Sequence, residues 1–194
     1  MPGWADALEP AAPDVVAAWR GIDEGRLLSV RREVRRRGGT GSAESIAGQL
    51  AALARALGDI VSALPERAFG LPGGEEDWTV AQTIGHDIHA RSGLVLAAAL
   101  AAGDRWPAEV PRVVPGVPGP PDAGRDELLA GIARSQRLID RAARRVAGHE
   151  TEACPLDHPM VGRLRCGEWL VFAGVHDLMH LEQLEQLRHG LIAT

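Results

Sequence analysis

Gly167-Glu168-Trp169-Leu170-Val171-Phe172-Ala173-Gly174-Val175-His176-Asp177-Leu178-Met179-His180-Leu181-Glu182-Gln183 carries the plainest structural signal in the chain. Its first three turns are apolar on most sides, as expected of a helix buried by several neighbours, and the pattern predicts a last helix from about Gly167 to His189. His176 and His180 lie four apart, so both rings project from one face, one turn apart. That face also carries Trp169, Ala173, Gln183 and Leu187, which makes it the core-facing stripe. Imidazoles in a core stripe need partners, because burying an unpaired polar group costs about 1–3 kcal/mol. A backbone carbonyl or a carboxylate can serve each ring separately. A divalent metal can serve both at once, held by ring nitrogens about 2.0–2.1 Å away.

Three more helices of the same kind lie upstream. From Ser42 to Leu64, Ile46, Leu50, Leu53, Leu57, Ile60 and Leu64 draw one stripe, and Pro65 ends it. Thr79-Val80-Ala81-Gln82 has capping-box spacing and opens a helix running to Gly103, with Val80, Ile84, Ile88 and Val95 inward. A third runs from about Asp126 to Ala147, burying Leu128, Ile132, Ile139 and Val146 and turning Arg134, Arg137, Arg141, Arg144 and Arg145 outward. Between the second and third, the segment from Gly103 to Gly124 holds six of the 13 prolines and cannot be helical. Alternating strand patterns of useful length are missing. The expected fold is all-α: a four-helix bundle over residues 42–194 with one long crossover, preceded over residues 1–41 by a short helical extension interrupted at Gly21 and Gly25.

Composition narrows the chemistry. The chain has 194 residues and a net charge of −5, so bulk positive charge does not make it a nucleic-acid binder. Its 21 basic residues are all arginine and it has no tyrosine, which rules out a Schiff-base lysine, a P-loop lysine and a tyrosine acid. No run of about 18 uninterrupted apolar residues suggests a membrane span, and the expected location is the cytoplasm. Cys154 and Cys166 match no zinc knuckle and read as ordinary reduced thiols. Trp169 and Phe172 read as core packing. Arg31, Arg32, Arg35, Arg36 and Arg37 read as a solvated helix end rather than a docking patch for anions.

A third ligand would turn the histidine pair into a metal site, and the second helix offers His86 and His89. Gly85, Ala90, Gly93 and Ala97 leave room around His86, yet His86 lies off the Ile84/Ile88 stripe. The helical wheel does not choose between them.

Trp78-Thr79-Val80-Ala81-Gln82-Thr83-Ile84-Gly85-His86 resembles the opening of the second helix in the DinB-like superfamily of metal-binding four-helix bundles, where a histidine follows the tryptophan by eight. Glu168-Trp169-Leu170 followed by His176, His180 and Gln183 resembles that family's fourth helix, and His158-Pro159-Met160-Val161-Gly162 is similar to the loop before it. The resemblance covers roughly Ser42 to Gly190. It implies that His86, His176 and His180 bind one divalent ion, zinc or nickel, with Glu182 and Gln183 as candidates to support the ligands from behind; Asp87 stands where the family more often has an apolar residue and is a third candidate, as an acceptor for an imidazole N–H. Read from the residues alone, Asp87 is a solvated helix carboxylate.

Three neutral imidazoles would leave such an ion its full charge and an open position. A di-iron site needs Glu-x-x-His pairs, and the zinc-protease signature needs His-Glu-x-x-His; neither is present. The resemblance implies a metal-dependent S-transferase using a low-molecular-weight thiol such as mycothiol, with a small electrophile as second substrate. Hydrolysis and a non-catalytic, stress-related accessory bundle acting as a homodimer are the alternatives. No nucleic-acid or membrane partner is expected.

Overall fold

A computed structural model of the chain describes residues 3–22, 27–74, 77–114 and 116–192. Four long helices form the bundle: α4 (Ala43–Ala63), α5 (Val80–Ala101), α6 (Arg125–Val146) and α7 (Cys166–Ile192). The expected all-α fold is the observed one. Pro65 stops α4 by forcing Leu64 out of the helical region, to ψ 135°. The capping box opens α5, with Thr79 Oγ1 accepting from Gln82 N–H (3.2 Å) and Gln82 Oε1 accepting from Thr79 N–H (3.0 Å). Helices α4 and α5 each pack on α6 and α7, placing them at opposite corners of the bundle. The apolar start of α7 is enclosed as its composition requires: Trp169, Leu170, Val171, Ala173 and Val175 are fully buried. Among the described helices, α4 alone is long and apolar enough to cross a membrane, and more than half of it is buried inside the bundle.

Before the bundle come α1 (Trp4–Leu8), α2 (Pro13–Arg20) and α3 (Leu27–Arg37). The break between α2 and α3 includes residue 25, which lies outside the described residues. Val15, Val16, Val30 and Val34 join the same buried cluster as the bundle. The arginines of α3 are more engaged than a solvated helix end: Arg32, Arg36 and Arg37 pair with the buried carboxylate of Glu33, and Arg35 pairs with Glu168 at the start of α7. Hydrogen bonds from Arg32 and Arg37 hold Glu33 below the usual carboxylate range despite its burial.

One departure from the sequence reading matters for function. Before α7 the chain forms a hairpin of β1 (Ala153–His158) and β2 (Gly162–Arg165), where a loop was expected. Cys154 and Leu156 point inward on β1 and His158 follows on the same face, so the alternation is carried by residues that are not β-branched. The crossover pairs with the free edge of β1, through Asp157 N–H to the Arg112 carbonyl (2.6 Å) and Val114 N–H to the Asp157 carbonyl (3.0 Å). Further along, the crossover presses against α5: an added Cβ on Gly85 would lie 2.8 Å from Gly119 Cα. Only glycine at both positions allows that approach, and it lets Gly119 N–H reach the Gln82 carbonyl at 2.9 Å.

Candidate metal centre

Helix α5 brings His86 against His176 and His180 of α7. Ring centroids are 5.3 Å apart for His86 and His176, 5.3 Å for His86 and His180, and 4.6 Å for His176 and His180. One ring nitrogen from each lies within 4.8 Å of the other two. His89, the other candidate on α5, is exposed and stands outside this group.

What faces the back of each ring decides which nitrogen carries the proton. His86 Nδ1 lies 2.8 Å from the Val117 carbonyl on the crossover, His176 Nδ1 lies 3.3 Å from Asp87 Oδ1, and His180 Nδ1 lies 3.1 Å from Gln183 Oε1. All three partners are acceptors, so each Nδ1 must carry the proton and donate it. In the neutral form of each ring this places the lone pair on Nε2, the state a metal ligand requires. Burial lowers the pKa of His86, and the neighbouring His176 and His180 add to that, so the ring is neutral near pH 7. Trp78 packs on the outer side of His86 at a centroid distance of 4.9 Å. The donor set suits a divalent ion of the zinc type: three neutral nitrogens, each oriented from behind.

The supporting residues divide. Gln183 bridges two elements, accepting from His180 and donating through Nε2 to the Gly73 carbonyl. Asp87 is not a solvated carboxylate: it is fully buried. Burial works to raise its pKa, but the His176 hydrogen bond, helped by the charge of Arg91, outweighs it and holds Asp87 below its usual value. Glu182 is half-buried, and among the described residues it makes no hydrogen bond or ion pair to the three histidines.

Behind Asp87 lies a charged residue that the sequence reading passed over. Arg91 is fully buried on α5 and donates to Asp177 Oδ2 (2.9 Å), Ser135 Oγ (2.9 Å), the Leu50 carbonyl (2.9 Å) and Gln136 Oε1 (3.2 Å). It thereby ties α5 to α7, α6 and α4. Burial raises the pKa of Asp177, Arg91 opposes this, and Asp87 adds to it.

The sequence pattern that describes the DinB superfamily matches residues 49–184, more than two thirds of the chain. The chain belongs to the DinB superfamily. No curated protein and no solved structure matches it. In this DinB bundle the matched span runs from α4 into α7 and includes all three histidines.

Beside the triad the DinB chain forms a partly open cavity of about 750 Å³, bounded by α5, α7, the crossover and the hairpin. Its lining includes Trp78, Trp106, Met179 and Phe172. Phe172, expected as core packing, is both buried and part of this wall, whereas Trp169 is core alone. Trp106 and Met179 were not singled out by sequence. The signals were there: an isolated tryptophan in a proline-rich crossover, and a methionine between the two helix-borne histidines.

Proposed function

We propose that this chain is a divalent-metal-dependent S-transferase joining a low-molecular-weight thiol of the mycothiol type to an electrophile. The observation that carries the reading is three imidazoles with every Nδ1 tied back, beside a cavity large enough for a second molecule. A divalent ion, zinc or nickel, would be held by His86, His176 and His180 and would supply a Lewis acid that lowers the pKa of an incoming thiol.

The chain's own groups support this in three ways. Among the described residues, no fourth ligand atom joins the three histidine nitrogens, which leaves an open position, unlike a closed structural site. The Asp87 carboxylate and the Gln183 amide fix two of the rings, and the Val117 carbonyl fixes the third. Neither cysteine can act as the nucleophile, because burial pushes the Cys154 thiol up to about 11 and the Cys166 thiol up to about 12. The reacting sulfur must therefore come from outside. Its S–H proton leaves to solvent, its electron pair forms the new bond to one carbon of an electron-poor C=C in the cavity, and the displaced π pair takes a proton back from solvent. This reading puts the protein in the reducing cytoplasm, where small thiols are abundant.

The test is the absorption spectrum of cobalt-substituted protein titrated with 2-mercaptoethanol. Direct sulfur ligation adds a charge-transfer band that saturates with thiol and is lost in His180→Ala. A spectrum unchanged across the titration would overturn the transferase reading.

A further inference from the structure

The cavity beside the triad has polar chemistry at few points on its wall. Leu94, Trp106, Val114, Leu156, Phe172 and Met179 supply much of the surface, and among the described residues no Arg, Asp or Glu side chain lines it. The polar side-chain groups among these lining residues are imidazoles and the two indole N–H groups, of which Trp106 Nε1 is occupied by the Val110 carbonyl at 3.2 Å. An ionised molecule entering the metal-free cavity would meet no charged side chain among the described residues to replace the water it leaves, which is costly. An apolar molecule loses nothing by the exchange.

One imidazole on this wall is unlike the triad. His158 stands at the end of β1, on the face that Cys154 and Leu156 turn inward, with its ring against the Phe172 ring at 5.1 Å. Its Nδ1 accepts a hydrogen bond from the Met160 backbone N–H at 3.1 Å. A backbone amide can only donate, so Nδ1 is bare and the proton of the neutral ring sits on Nε2. Burial, with nearby His176 adding, pushes the His158 pKa down to about 4, which keeps the ring neutral. Among the described residues Nε2 has no hydrogen-bond partner. The triad rings, in their neutral form, thus carry their protons on Nδ1, while His158 offers an Nε2–H on the wall of the same cavity.

We propose that the cavity binds an uncharged, largely apolar molecule whose one carbonyl-type oxygen is held by the Nε2–H of His158 next to the triad. Under the transferase reading this molecule is the electrophile, and the hydrogen bond points its reactive end at the triad. That assignment rests on the transferase reading; binding itself requires neither metal nor thiol.

Two uncharged fluorescent probes separate these points: 6-propionyl-2-dimethylaminonaphthalene, which has a ketone, and its propyl counterpart, in which the carbonyl is CH2. Both are titrated into the protein as purified and after zinc loading. Saturable binding of both is expected, with the ketone about three- to tenfold tighter, the effect of one neutral hydrogen bond. His158→Phe keeps the ring volume but has no N–H, and should bring the ketone down to the counterpart while leaving the counterpart unchanged. His158→Gln, whose amide N–H reaches a similar position, should restore part of the preference. Where His158→Phe lacks parental far-UV circular dichroism, the parent and His158→Gln carry the comparison. No saturable binding, equal affinities in the parent, or tighter binding of 6-propionyl-2-naphthoate, a carboxylate, to protein stripped of metal by a chelator would each overturn the proposal. The cobalt–thiol spectrum, recorded on the same preparations, reports separately on the transferase reading: a missing thiol band with intact ketone selectivity removes that reading and leaves this one standing.

Discussion

Arg91→Met is the sharpest test of how the bundle is held together. Methionine keeps much of the side-chain length while removing the charge and four hydrogen bonds, to Asp177, Ser135, Leu50 and Gln136. Breaking a buried pair from one side costs about 3–5 kcal/mol, because the other charge stays behind unpaired. Asp177 moderates the loss. Burial and Asp87 already raise its pKa, so without Arg91 it can take up a proton instead of remaining a naked carboxylate. The expected cost at pH 7 is therefore the low end, about 3 kcal/mol. At about 2–4 °C per kcal/mol for a chain of this size, the melting temperature should fall by about 6–12 °C. Urea unfolding followed by far-UV circular dichroism measures the first figure, and a thermal scan the second. In the Arg91→Met background, Asp177→Asn should cost markedly less than in the parent. A single-variant loss below about 1 kcal/mol, or additivity of the two substitutions within about 0.5 kcal/mol, would refute the pairing.

Replacing His176 or His180 by Ala should remove the bound metal while helical circular dichroism survives, because the apolar stripes supply most of the folding energy; elemental analysis showing unchanged metal would refute the triad. Asp87→Asn keeps an acceptor for His176 but loses the charge, and should weaken metal binding about tenfold in a chelator competition; unchanged affinity would remove Asp87 from the site. His158 titrates near 6.5 in the unfolded chain and near 4 when folded, so between those values the unfolded state binds the extra proton and stability falls as pH drops. Urea midpoints taken from pH 7 down to pH 4 should decline, less steeply in His158→Phe, and identical profiles would contradict the burial of a neutral ring.

The helices were legible because their signals are local. Stripes at steps of three and four, Pro65 after α4 and the Thr79/Gln82 box all act within a turn or two of themselves. The pair His176 and His180 was legible for the same reason. His86 was not readable from the wheel, since α5 is buried on several sides: Asp87 and Arg91 lie inside along with Ile84 and Ile88. On such a helix no polar face marks the outside, so no stripe tells which neighbour a residue meets. The family motif identified His86 where periodicity left two choices. Asp87 looked like a solvated carboxylate because its partner, His176, is 89 residues away, and Arg91 meets Asp177 across 86. The hairpin escaped because β2 is four residues long and β1 contains Pro155, with Cys154 and Leu156 in the inward places where β-branched residues would have signalled a strand. The free hydrogen of His158 depends on one backbone amide, that of Met160, and no side-chain pattern reports it.

The triad and much of the far wall of the cavity belong to different parts of the chain. The histidines ride on α5 and α7, whose positions are fixed by the Arg91 network and the shared core. The wall carrying Trp106, Val110 and Val114 belongs to an irregular crossover attached through a few backbone contacts: the bridge to β1, the Gly85–Gly119 approach and the bond from His86 to Val117. Evolution can therefore work on the two separately. Insertions or replacements between Gly103 and Val114 would redraw which molecules are admitted, while the three histidines are inherited intact. Divergence in the molecule bound among related bundles should accordingly concentrate in this segment, with the helix-borne histidines serving as a fixed chassis.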